Sequence, residues 1–149
     1  MAKNKSGLYG AREASRLLRE LPQAAEQRVL QAATMSGSRA WAKHIKGAAP
    51  VGDNPKSPKS QKYGPLKKNI TVQALKSLRR KNQRGARVWT KFAFWGFIRE
   101  FGSKRQAANP WFRPAADSGQ GAALQAQAAA TGRGIEREAK KLAAKFGIK

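Results

Sequence analysis

A chain of 149 residues with 31 Lys and Arg against 8 Asp and Glu carries a formal charge of +23, with a single histidine and no cysteine. The length suits one domain with a modest core. The missing cysteines exclude disulfides and thiolate metal sites, and the charge attracts polyanionic counter-surfaces: nucleic acid, an acidic protein or an anionic membrane.

The opening MAKNKSGLYG has no apolar core of the secretory kind. Residues 1–8 are expected to be a mobile tail. LYGAREASRLLRELP then reads as a short helix with Leu17, Leu18 and Leu21 on one edge. Pro22 closes it or opens the next helix, since proline is tolerated at a first helical position. That next helix is expected from Pro22 to Lys46. Ala25, Val29, Ala32, Ala33, Ser36, Gly37, Ala40, Trp41 and His44 follow i, i+3, i+4, i+7 spacing. The stripe consists mostly of small residues, which lets another backbone come close. Arg39, Lys43 and Lys46 form a basic row on the other side, and Gly47 and Pro50 end the helix.

Residues 50–65, PVGDNPKSPKSQKYGP, hold four prolines, two glycines and three lysines without periodicity, and predict a long basic loop. Two period-two runs follow. Ile70, Val72 and Ala74 share one face of NITVQAL. Ala86, Val88, Thr90, Phe92 and Phe94 share one face of ARVWTKFAF, with Arg87, Trp89 and Lys91 on the other. KSLRRKNQRG between them is a basic hairpin connection, so an antiparallel pair with one buried face is expected.

WGFIREFG predicts one or two helical turns ended by Gly102; its apolar run from Phe92 to Ile98 is far short of the roughly 20 residues of a membrane span. A soluble chain with no membrane partner is expected. The last helix should begin near Pro114 or Asp117. Leu124, Ala128, Thr131, Ile135, Ala139, Leu142 and Phe146 keep a 4-3-4-4-3-4 rhythm straight through TGRG, which reads as one helix. Gly132 and Gly134 each weaken it by roughly 1 kcal/mol relative to alanine and predict a kink or fray. Glu136 and Lys140 stand in the favourable i, i+4 order. Residues 147–149 are a second mobile tail. The fold class predicted is α+β, a single domain over 1–149, with two long helices and a short N-terminal helix packed on a small antiparallel sheet.

The inventory speaks against an enzyme. His44 sits on the small-residue stripe and reads as a structural histidine. It has no cysteine and no carboxylate at helical spacing with which to bind zinc. Glu136 and Glu138 are close in sequence but point to different helix faces, and no phosphate-loop or dinucleotide glycine pattern occurs. No catalytic residue, metal ligand or cofactor is predicted.

Positive charge concentrates between Lys56 and Arg84, with ten Lys and Arg. Lys56, Lys59, Lys62, Arg79, Arg80, Lys81 and Arg84 are the candidate contacts to DNA or to an acidic partner, and phosphate contacts would make binding steeply salt-dependent. Trp89, beside Arg87 and Lys91, could stack on a base. One functional reading is therefore a sequence-nonspecific nucleic-acid-binding protein, although no recognised nucleic-acid motif is present.

A second reading starts from EFGSKRQAANPWFRPA. Glu100 is the only acid between Asp53 and Asp117, among sixteen Lys and Arg. Three landmarks, LLRELPQAAEQRVLQAA leading to a helix that ends at AAPV, then LKKNITV, then FIREFGSKRQAANPWFRPAAD, resemble in order and spacing a family of tailed-bacteriophage neck proteins. These are the tail-completion, head–tail joining or minor tail Z-like proteins. The resemblance spans about Leu17 to Lys145. It departs from the family in the longer GDNPKSPKSQKYG loop and in Ser103, where threonine is usual.

The resemblance implies a non-catalytic subunit of an oligomeric ring, with a hexamer favoured, in the virion neck or tail. Its partners would be tail-terminator, tail-tube or head-connector proteins and packaged DNA in the channel, and it would occupy the host cytoplasm during assembly. In that setting Gly102 permits a tight turn. Pro110 and Pro114 stiffen the return, and Trp111 and Phe112 anchor it, one inward and one outward. Glu100 is expected to pair with Arg99, Lys104, Arg105 or Arg113, either across a subunit boundary or within the chain. Glu100, Gly102, Lys104, Arg105, Trp111, Phe112 and Arg113 are the candidate interface residues.

Overall fold

The computed structural model describes residues 21–50, 64–76, 78, 83–91 and 94–146, with Lys145 and Phe146 described by backbone alone. The expected helix around Leu17 and Leu18, both tails, nearly all of the 50–65 loop and the hairpin tip lie outside these residues. So do Lys56, Lys59, Lys62, Arg79, Arg80 and Lys81.

The fold mixes helix and sheet, and helix predominates. The elements are α1 (Gln23–Ala48), α2 (Leu66–Asn69), β1 (Ile70–Ala74), β2 (Ala86–Thr90), α3 (Phe94–Phe101), α4 (Phe112–Ser118) and α5 (Gln120–Phe146). Helix α1 starts at Pro22, whose carbonyl accepts the Ala25 and Glu26 amides at 2.8 and 3.1 Å. Glu26 in the first turn and Lys46 in the last complement the helix dipole. The helix stops at Ala49, which is extended because the ring of Pro50 disfavours helical geometry in the residue before it.

Ala25, Val29, Ala33 and Gly37 of the predicted stripe are buried, together with Ala42 and Ile45. Ala32 is exposed. The face packs antiparallel on α5. A Cβ on Gly37 would lie 2.9 Å from the Ala123 carbonyl oxygen, and one on Gly134 would lie 2.8 Å from Val29 Cγ1. Farther along, Arg28 Nη2 meets Glu138 Oε2 at 3.0 Å. The small residues therefore do bring two backbones together.

Three expectations about the last helix are corrected. It runs as one helix through TGRG as expected, but it begins at Gln120 and not near Pro114 or Asp117: Phe112–Ser118 form a separate short helix, and the junction Gly119 is wedged between Trp41 and His44 with both rings 3.0 Å from where its Cβ would stand. Neither Gly132 nor Gly134 interrupts α5; Gly134 is the notch that seats Val29. The packed face also runs through Ala123, Ala126, Gly134 and Glu138, leaving Leu124 of the predicted stripe 67% exposed.

The sheet pairs β1 with β2 antiparallel in the register Ile70↔Thr90 to Ala74↔Ala86. Ile70 is fully buried, and Val72 and Val88 pack on a core of Ala42, Ile45, Leu66, Ile70, Trp111, Ala115 and Ala116. The outward pair Gln73 and Arg87 is joined by hydrogen bonds of 2.8 and 3.2 Å to Gln73 Oε1. The sheet packs on α1, whereas α5 packs chiefly on α1 and α4, so one of the two long helices carries the sheet.

Candidate subunit-interface site

Helix α3 has the sequence FWGFIREF and ends at Gly102, whose φ of +78° is a left-handed conformation that favours glycine. A Cβ there would stand 2.8 Å from the Ala108 amide nitrogen, so the corner also requires close backbone approach. Ser103 and Gln106 then exchange backbone hydrogen bonds of 2.8 and 3.2 Å, which presents Lys104 and Arg105 exposed on a tight turn. The Asn109 amide donates to the Arg99 carbonyl at 2.8 Å and returns the loop to α3.

Trp111 is the inward anchor. It is 8% exposed, and its indole N–H donates to the Gly96 carbonyl at 3.2 Å. Gly96 allows this approach: a Cβ would meet Leu66 Cδ1 at 2.8 Å and Trp111 Cζ2 at 3.5 Å. Phe112 is half-buried and meets the Trp111 ring edge-on at 5.4 Å.

Glu100 is buried within its own chain. Oε2 accepts the amides of Trp111 and Phe112 at 2.7 and 2.8 Å, and Oε1 accepts that of Arg113 at 3.1 Å. These are the first amides of α4, which have no intrahelical acceptor. The side chain thus caps the helix and answers its dipole. Burial pushes the carboxyl up, but the Phe112, Trp111 and Arg113 amides, helped by the Arg113 guanidinium, outweigh it and hold it below the usual carboxylate range. Arg113 Nε lies 3.9 Å from Glu100 Oε1, so of the four bases named from sequence, Arg113 is the one in ion-pair range.

Sequence reasoning missed what borders this corner. Phe94, Phe97 and Phe101 are 52%, 65% and 48% exposed. Phe97 and Phe101 stack on each other at 4.5 Å, and the Arg113 guanidinium covers Phe101 at 4.7 Å from its centroid. Val88, Trp89, Phe97, Phe101, Phe112 and Arg113 line an open groove of about 430 Å³ whose walls are mostly apolar. Phe97 and Phe101 stand four apart, a spacing that could have signalled the ridge. Trp89, expected to stack on a base, already carries the Arg87 guanidinium at 4.7 Å.

His44 Nε2 lies 3.0 Å from Ser118 Oγ at the α1–α4 junction. Among the described residues no cluster of His, Asp and Glu could hold a metal ion, and no helix is long and apolar enough to cross a membrane. Comparison with protein-family models, with curated proteins and with solved structures gives no match.

Proposed function

We propose that this chain is a structural subunit of the neck or tail end of a tailed phage virion, forming a ring with copies of itself and joining the tail to head-side proteins. The sequence landmarks suggest that assignment, and the α+β arrangement with an N-terminal helix belongs to the same proposal. The observation that carries it is the ridge of Phe94, Phe97 and Phe101 beside an open apolar groove, on a chain of charge +23. Contiguous aromatic surface of this kind marks a protein–protein contact, and aromatic residues with arginine are enriched at such contacts.

In this reading Glu100 and Gly102 shape the corner from within. Phe97, Phe101, Phe112 and Arg113 present the contact, and Lys104 and Arg105 lie at its rim, where charge steers docking more than it fixes affinity. The ring contact is heterologous, because a head-to-tail repeat closes into a ring.

The test is native mass spectrometry and electron microscopy of the purified protein, alone and mixed with phage tail tubes. Rings or ring-capped tubes are expected from the wild type, and monomers from the Phe97→Glu, Phe101→Glu variant with its helix content unchanged. A wild type that stays monomeric under both conditions refutes the proposal.

A further inference from the structure

The two-stranded sheet turns one of its edges to the aromatic corner. The Leu75 amide donates to the Gly85 carbonyl at 2.9 Å, and the Lys91 amide to the Asn69 carbonyl at 2.7 Å. These bonds mark the hydrogen-bonded pairs of an antiparallel ladder, which alternate along it. In the register Val72↔Val88, Arg87 and Trp89 therefore turn their amides and carbonyls towards β1, whereas Ala86, Val88 and Thr90 turn theirs away. Among the described residues, none of those three makes a backbone hydrogen bond beyond the ladder. The groove of about 430 Å³ lies at this edge. Val88 and Thr90 from one face of β2 line it together with Trp89 from the other, and none of Ile70–Ala74 of β1 does. Phe97, Trp111 and Phe112 close it from the side of α3 and α4.

We infer that an extended segment of an acidic partner protein docks in this groove as a third strand on β2. Amides and carbonyls that recur at every second residue of an edge are satisfied by another extended backbone, which offers acceptors and donors at the same interval. A helix has spent both groups internally, and a DNA backbone supplies acceptors without donors. Side chains of the added strand alternate between two surfaces. One set lies beside Val88 and Thr90, on the side where Val88 packs on the core that contains Trp111, and is apolar. The other lies beside Trp89, whose neighbours on that face are the exposed Arg87 and Lys91, and is acidic. The Arg87 guanidinium meets the neutral Gln73 amide and the Trp89 ring, neither of which cancels its charge. A copy of this chain has no such segment: Glu136 and Glu138 are its only acids two residues apart, and both belong to α5. The inference rests on reading this corner as a protein contact and names the partner's chemistry. The ring depends on Phe94, Phe97 and Phe101, and the docked strand on the β2 edge.

The experiment is fluorescence anisotropy of the full chain with a labelled peptide of four Val-Glu repeats, at about 0.1 M salt. Its controls are four Gly-Glu repeats of equal charge, and two Val-Glu peptides N-methylated either at the valines or at the glutamates. A strand pairs with β2 along one edge only, so one methylated peptide should bind at least about 10-fold more weakly than the other. The Gly-Glu peptide, without apolar side chains, should bind at least about 10-fold more weakly than Val-Glu. Amide hydrogen exchange at Val88 and Thr90 should slow when the Val-Glu peptide is added. Equal binding of Val-Glu and Gly-Glu means diffuse attraction to the +23 chain and overturns the inference. Equal affinities of the two methylated peptides, unchanged exchange at Val88 and Thr90, or no binding at all also overturn it. Exchange that slows when the chain alone is concentrated assigns the edge to a second copy instead. Rings that form without peptide binding overturn this inference and leave the ring reading standing; peptide binding by a chain that stays monomeric does the reverse.

Discussion

Glu100 and Trp111 stand eleven residues apart, yet the carboxylate of one accepts the backbone amide of the other at 2.7 Å. With the Phe112 and Arg113 amides on the same carboxylate, one side chain joins the end of α3 to the start of α4. Glu100→Gln keeps the shape but loses the charge and one acceptor oxygen, and should cost about 1–2 kcal/mol. Glu100→Ala leaves three amides without their acceptor and should cost about 2–4 kcal/mol. Urea unfolding curves check both values, and equal stability of all three proteins would refute the capping role.

The same contact sets a pH dependence. The carboxyl is held below its ordinary value of 4.5, so the unfolded chain binds more protons there than the folded one. Stability from this group is present in full above that ordinary value and is lost as pH falls through the lower, folded one. The stability gap between wild type and Glu100→Gln should therefore stay level from pH 7 to about pH 5 and shrink below it. Glu138 is held low chiefly by hydrogen bonds from Lys141 and Arg28, and has the same sign. Acid unfolding should consequently persist, in weakened form, in the Glu100→Gln variant. A gap that widens on acidification would contradict the assignment.

Glycines in the helix pair should split into two classes. A Cβ on Gly132 meets nothing within 4 Å, so Gly132→Ala should stabilise by about 0.5–1 kcal/mol through helix propensity. Gly37→Ala would press on the Ala123 carbonyl, and Gly134→Ala on the stiff Val29 side chain, so both should destabilise despite the better propensity. Adding Val29→Ala to Gly134→Ala should recover part of the loss, which a double-mutant cycle in thermal unfolding would measure.

Salt should strengthen the proposed self-contact. Copies of a +23 chain repel, so self-association through an apolar ridge should strengthen as salt screens that repulsion. Sedimentation velocity over a range of ionic strength gives the trend. Ring formation that weakens with salt would point to ion pairs rather than phenylalanines at the contact.

What the sequence made legible follows from where side-chain contrast exists. The strands were readable because Ile70, Val72, Val88 and Thr90 alternate with Gln73, Arg87 and Trp89, and the register found keeps each set on one face. Helix α1 was readable because Val29 and Trp41 stand out among small residues and a proline brackets each end, although the stripe followed His44, which is exposed, and missed the buried Ala42 and Ile45. The packed face of α5 was not, since QGAALQAQAAATGRG offers alanine in every direction and the chosen stripe followed Leu124, which proved exposed. The corner was legible as a corner from Gly102, Pro110 and Trp111. The partners of Glu100 could not be read because three of them are backbone amides, which every residue but proline possesses. Exposure of Phe94, Phe97 and Phe101 was equally hidden, because aromatic residues signal burial until the neighbouring elements are placed.

The antiparallel course of α1 and α5 has a practical result for anyone attaching a reporter. Arg28 faces Glu138, while Trp41 Nε1 donates to the Ala116 carbonyl near the opposite end of α1, about 20 Å away along the axis. Leu21 and Phe146 therefore occupy a shared pole, remote from the phenylalanine ridge. A fluorophore attached at either of these positions would be carried there, and two such dyes on one molecule would sit close enough to register any splaying of the helix pair.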